Sequence, residues 1–172
     1  TAAAAPAAVT PCDLAAWIEA NAPAGLVVRA GPGAEHPAVA AVPKPYSDGE
    51  DTYFPEVAIT GARDGWFRIA RVVTDLYGGL PTDPVTAFAG EGWLPGDVLR
   101  LHVEGSELRS RPSRDAPVTF ALSGTGGDTD LFKVTALRAC TGPWVEVEGR
   151  QGGRRGRGWT DDICASQVTT CP

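Results

Sequence analysis

Four cysteines (Cys12, Cys140, Cys164 and Cys171) and two histidines (His36 and His102) are the residues of this 172-residue chain with the means for covalent or metal chemistry. A thiol hydrolase needs a free thiolate with a histidine in reach. Here the cysteine set is even and has no CxxC spacing, the pattern of disulfides in an oxidising compartment rather than of a metal or redox site. Neither histidine has ligand company at metal spacing. Asp48, Glu50 and Asp51, and likewise Asp128 and Asp130, lack the alternating ligands and glycine of a calcium loop. Ser123-Gly-Thr-Gly lacks the strand-to-helix setting of a nucleophile elbow. The expectation is a non-enzymatic chain with no metal and no cofactor.

Binding chemistry is better represented. Trp66, Trp93, Trp144 and Trp159 each follow a turn residue, glycine or proline, and an indole in such a place can stack on a proline or a sugar ring while its N–H holds a carbonyl. The competing reading is that each is the largest core plug of a small domain. Trp93-Leu-Pro95 is the preferred groove candidate, because it sets an aromatic wall beside a turn proline. Arg29 and Arg109 stand at turn entrances where a guanidinium can read a carboxylate, or can instead pin its own loop to backbone carbonyls. Gly149-Arg-Gln-Gly-Gly-Arg-Arg-Gly-Arg-Gly158 carries four arginines and reads either as a grip for an anionic polymer or as a solvated hairpin tip.

These residues recur in order. Gly25-Leu-Val-Val-Arg-Ala-Gly-Pro-Gly33 returns, eroded, as Ser106-Glu-Leu-Arg-Ser-Arg-Pro-Ser113, with Arg29 and Pro32 each 80 positions ahead of Arg109 and Pro112. A chain built twice divides into units of roughly 80 residues, small enough to need staples or mutual packing. Trp66 and Trp93 are 27 positions apart and Trp144 and Trp159 only 15, so the first unit carries about 12 extra residues, assigned to an insertion at 74–90. Fifteen prolines and 21 glycines are spread between short apolar runs, as turns are between strands. Leu14 to Glu19 reads as a first strand, with a short helix as the alternative. Residues 34–55 read as a long surface loop, Val57 to Val73 as a hairpin, and Phe132 to Glu148 as its counterpart. Asp97 to Glu104 reads as one strand shared by both units.

Net charge is −6 and the pI near 4.9, which opposes binding to nucleic acid and anionic lipid. No apolar run approaches the roughly 18 residues of a membrane span. The Ala-rich lead at 1–11 resembles the stretch just beyond the cleavage site of a signal peptide, and with the cysteines it predicts a periplasmic or secreted protein.

The ordered set Leu26 to Gly33, Gly65-Trp66-Phe-Arg-Ile69 and Gly92-Trp-Leu-Pro95, with weaker counterparts at Leu108 to Pro112, Pro143-Trp-Val-Glu-Val147 and Gly158-Trp-Thr160, resembles bacterial SH3 domains. The resemblance covers about residues 13 to 170. It implies an all-β chain of two tandem five-stranded small barrels sharing or abutting a central strand, with a lead at 1–11, barrel one at 12–99 and barrel two at 100–172. It implies a Cys140–Cys164 bond and a Cys12–Cys171 clamp between the units, with the other connectivities open, notably Cys164–Cys171. Barrel two departs from the pattern at Arg111, Pro143 and Thr160-Asp161, which puts its groove in question more than its folding. By the same resemblance the chain would be an envelope binding module for a cell-wall peptide, peptidoglycan or an exported protein segment. The alternative is a structural scaffold with no small ligand.

Overall fold

In the computed structural model the described residues are 3–5, 7–19, 25–74, 85–122 and 132–167. They form an all-β fold with no α-helix among them. The first eight strands are β1 (Thr10–Ile18), β2 (Val27–Arg29), β3 (Ala38–Ala41), β4 (Tyr46–Ser47), β5 (Thr52–Tyr53), β6 (Glu56–Arg63), β7 (Trp66–Thr74) and β8 (Val85–Pro95). A 3₁₀ turn at Gly96–Val98 leads to β9 (Leu99–Arg100) and β10 (His102–Val103). The chain then runs through β11 (Glu107–Arg109), β12 (Val118–Ala121), β13 (Lys133–Thr141), β14 (Trp144–Gln151), β15 (Arg154–Thr160) and β16 (Ile163–Cys164).

The larger sheet has the order β3-β2-β8-β7-β6-β1-β9, and the second has β12-β11-β15-β14-β13. The second order reproduces the first five positions of the first. The hydrogen bonds repeat as well. Ala30 N–H donates to the Pro37 carbonyl at 2.9 Å and Ser110 N–H to that of Pro117 at 2.9 Å; Val42 N–H donates to Leu26 and Leu122 N–H to Ser106, both at 2.8 Å. Each partner of the second pair lies 80 positions beyond its counterpart, so the internal echo in the sequence is a repeat of backbone geometry.

The glycine that precedes a tryptophan has a physical cause. A Cβ on Gly92 would lie 2.2 Å from Val28 Cγ1, and one on Gly158 would lie 2.8 Å from Leu108 Cβ. Those positions carry glycine because β2 and β11 cross too closely for any side chain. Gly65 serves another need: with Asp64 (φ 52°) and Gly65 (φ 79°) both left-handed, a two-residue loop joins Arg63 to Trp66 with the twist a hairpin requires.

Alternation of buried and exposed residues along β1, β6, β13 and β14 turns one face of each sheet inward. The buried side chains form one cluster that runs through both halves, from Leu14, Ile59, Phe67 and Leu99 to Leu108, Leu137, Val145 and Val147. The Asp97–Glu104 run joins the halves: β9 pairs with β1 and β10 with β16, with Leu101 buried between them. The predicted single strand is thus two short ones, each serving a different sheet. At Gly96 the halves touch so closely that a Cβ would sit 1.8 Å from the Leu137 carbonyl oxygen.

A disulfide joins Cys12 on β1 to Cys140 on β13, with Cα atoms 5.8 Å apart. This corrects the Cys140–Cys164 and Cys12–Cys171 pairing. The ends of β1 and β13 lie side by side, Asp13 N–H donating to the Gly142 carbonyl and Gly142 N–H to that of Pro11, both at 3.0 Å. Cys164 is also disulfide-bonded, and Cys171 lies outside the described residues. The clamp between halves expected of Cys12–Cys171 is made by Cys12–Cys140.

Residues 34–55 are not a plain loop. They hold β3 and the small β4/β5 ladder, in which Tyr46 and Tyr53 stack with ring centres 6.1 Å apart. Asp48 Oδ1 accepts the N–H groups of Glu50 and Asp51 at 2.9 and 2.8 Å, and these bonds hold the carboxyl below its ordinary range. The acidic cluster is turn chemistry. Of the expected insertion at 74–90, Val85 to Gly90 extend strand β8, and 75–84 lie outside the described residues, as do Ser123-Gly-Thr-Gly, Asp128 and Asp130.

Candidate functional site

Strands β11, β14 and β15 bring together three of the residues singled out from sequence. Arg109, Trp159 and Glu146 are in direct register across the three strands, and Trp144 is on the same outward face as Glu146, diagonal to Trp159. Both indoles are half-buried. They line an open cleft of about 170 Å³ whose rim includes Glu107, Arg114 and Asp161.

Charge on this rim is paired. Arg109 donates through Nη2 to Glu107 and through Nη1 to the Ala116 carbonyl at 2.8 Å. Arg114 Nη2 meets Asp161 Oδ2 at 2.7 Å, with the guanidinium largely exposed and the carboxylate largely covered. Below Trp159, Glu146 accepts from Nε and Nη2 of Arg157, each at 3.2 Å, which strengthens that guanidinium's hold on its proton. The cleft therefore sets two aromatic side chains beside two ion pairs, each of which can be exchanged for a bond to a ligand's own carboxylate or ammonium at little net cost.

The corresponding residues of the larger sheet are arranged differently. Trp93 is in register with Arg29 and Arg68 and is only 3% exposed, so it offers no face to a ligand. Trp159 holds the equivalent place between β11 and β14 and stays half-buried, so the two repeats differ here, and the preferred groove wall of the first is a buried side chain. Trp66 is half-buried and lies opposite Pro95, also half-buried. Arg29 Nη1 donates to the His36 carbonyl at 3.1 Å, matching Arg109 and Ala116, so both arginines pin their own turns. Arg109 does so while its second nitrogen faces the cleft rim.

Glu107, Arg114 and Asp161 do not stand out in the sequence as site residues. Glu107 has a readable signal, two residues before Arg109 on the same strand face. Arg114 and Asp161 have none, being 47 positions apart and joined only by the fold.

Among the described residues no group of three or more His, Cys, Asp or Glu is placed to hold a metal, and no cysteine is free. His36 stands over Gly31, with its Nε2 3.6 Å from Glu35 Oε1, and His102 packs on Trp17 with ring centres 4.8 Å apart. No described helix is long and apolar enough to cross a membrane. No protein-family model matches the sequence, and neither a curated protein nor a solved structure matches it.

Proposed function

We propose that the chain is an exported, non-enzymatic binding module built from two SH3-like barrels, and that it holds a short peptide of the bacterial cell wall in the Trp144/Trp159 cleft. The observation that carries this reading is the pair of half-buried indoles that share one cleft with the Glu107–Arg109 and Arg114–Asp161 ion pairs. A peptide that carries both a carboxylate and an ammonium group complements that rim, while its aliphatic atoms or a proline ring cover the indoles. The repeated strand order and the repeated turn bonds support the two-barrel description. The even cysteine set and the Cys12–Cys140 bridge support an oxidising, extracytoplasmic location.

Co-sedimentation of the oxidised chain with purified peptidoglycan sacculi tests the reading. Saturable binding is expected, weakened roughly tenfold or more by Trp144→Ala or Trp159→Ala, as for a central aromatic anchor. Folding of each variant is checked by circular dichroism. Sacculi that leave the chain in the supernatant would remove the wall peptide as ligand and turn the cleft over to an exported protein segment, sought by pull-down from envelope extract; binding that survives both substitutions would remove the cleft as the site.

A further inference from the structure

The second sheet carries a row of like charges that its own structure does not use. Lys133, Arg150 and Arg155 lie directly opposite one another on the adjacent strands β13, β14 and β15, and all three are exposed. Residues opposed across an antiparallel pair share a face, and like charges so placed destabilise the pair. The neighbouring cations are engaged. Arg138 binds Glu148 and Asp97, Arg157 binds Glu146, and Arg154 donates to the Ala121 carbonyl with its guanidinium 4.4 Å from the centre of the Phe120 ring. Lys133, Arg150 and Arg155 have no side-chain partner among the described residues.

The row has a hollow and a firm floor. Arg150, Arg155 and Arg157 border an open cavity of about 420 Å³ with Thr135 and Glu148, the latter's charge being matched by Arg138. On the opposite face Gly149 and Gly156 stand in register, and a Cβ on either would meet Phe132 or Phe120 within 2.7 Å. Those glycines let the two rings, 5.5 Å apart and edge to face, lie against the backbone directly beneath the cations. The strands that carry the charges are thereby packed on an aromatic layer, which fixes the spacing of the three Cα positions.

We infer that Lys133, Arg150 and Arg155 form a binding site for a flexible phosphate-bearing chain, a phosphodiester or an oligophosphate. Three cations on neighbouring strands span about 10 Å, two inter-strand spacings, enough for successive phosphates and too long for one carboxylate. Arginine forks match phosphate oxygens bidentately. The molecule as a whole carries net charge −6, so outside the row it repels a long rigid polyanion such as duplex DNA, and the row suits a flexible chain that touches it alone. This site lies toward the far end of the strands from the Trp144/Trp159 cleft and does not depend on it.

Calorimetric titration of the full oxidised chain with inorganic tripolyphosphate tests the inference, with duplex DNA as a parallel titrant. Saturable one-to-one binding of tripolyphosphate is expected, weakened roughly tenfold or more in Arg150→Gln/Arg155→Gln, the loss of at least one charge-assisted bond. The exposed Arg111→Gln serves as control and keeps the parent affinity. Without ligand the double variant is expected to melt no lower than the parent, since a repulsion has been removed, and tripolyphosphate is expected to raise only the parent's melting temperature. Should the double variant fold poorly, Lys133→Gln carries the same comparison. Absent tripolyphosphate binding, equal loss in Arg111→Gln, or binding of duplex DNA alone would each overturn the inference.

Discussion

Gly96 is the residue on which the two halves depend most directly. A methyl group there would meet the Leu137 carbonyl oxygen at 1.8 Å and the Phe67 ring at 2.9 Å, and neither neighbour is the free end of a flexible side chain. Gly96→Ala must therefore push β13 away from the first sheet, and we expect a loss of about 3 kcal/mol or more, measured by urea unfolding. A loss below about 1 kcal/mol would mean that the contact yields. Glu56 gives a prediction with a sign. Burial raises the pKa of its carboxyl, partly countered by the Gln167 side-chain amide, which donates to Oε1 at 3.2 Å. In the window between its unfolded and its higher folded pKa the folded state binds more of the proton, so this group's contribution is fully present below the unfolded pKa and is lost as pH rises through the folded one. Glu56→Gln should abolish that decline and raise stability at neutral pH by less than about 1 kcal/mol after solvent screening. An unchanged pH profile would assign the carboxyl an ordinary environment.

Among the elements, the Arg63–Trp66 hairpin shows what the sequence makes legible. Asp64-Gly65 is a two-residue loop with both φ values positive, and Gly65→Ala should cost about 1 kcal/mol, read from thermal unfolding. The glycines before Trp66, Trp93 and Trp159, the turn arginines and the paired strands are readable because they are local: turn geometry and close backbone approach constrain residue types at fixed offsets. The candidate site is legible only in part. Arg109, Trp144 and Trp159 can be named, yet Trp93 and Trp159 hold equivalent places in the two sheets and only Trp93 is buried, a difference that rests on packing by residues far apart in the chain. The partners Arg114 and Asp161 come together only when β15 lies beside β11. The disulfide is hidden from the sequence on the same ground. The resemblance places Cys140 with Cys164 within one repeat, whereas the packing of β1 against β13 across the repeats sets Cys12 beside it.

At the scale of the molecule, two repeats of a strand order do not make two independent domains. The buried cluster passes from one sheet to the other without a break, β9 and β10 divide one short run between the halves, Arg138 of β13 reaches Asp97, and Gln167 pairs with both backbone groups of Phe54, at 2.8 and 2.9 Å. The Cys12–Cys140 bridge closes 128 positions of chain across the same seam. A link of that span restricts the unfolded chain strongly, and its removal should cost on the order of 4 kcal/mol. Calorimetry of the oxidised protein is expected to show a single transition with equal calorimetric and van't Hoff enthalpies. The Cys12→Ala/Cys140→Ala variant should melt at a lower temperature, still in one step, because the shared core and not the bridge makes the halves cooperative. Two resolved transitions in that variant would show that the disulfide alone couples two self-sufficient barrels, and would make the boundary between residues 99 and 100 a true domain border.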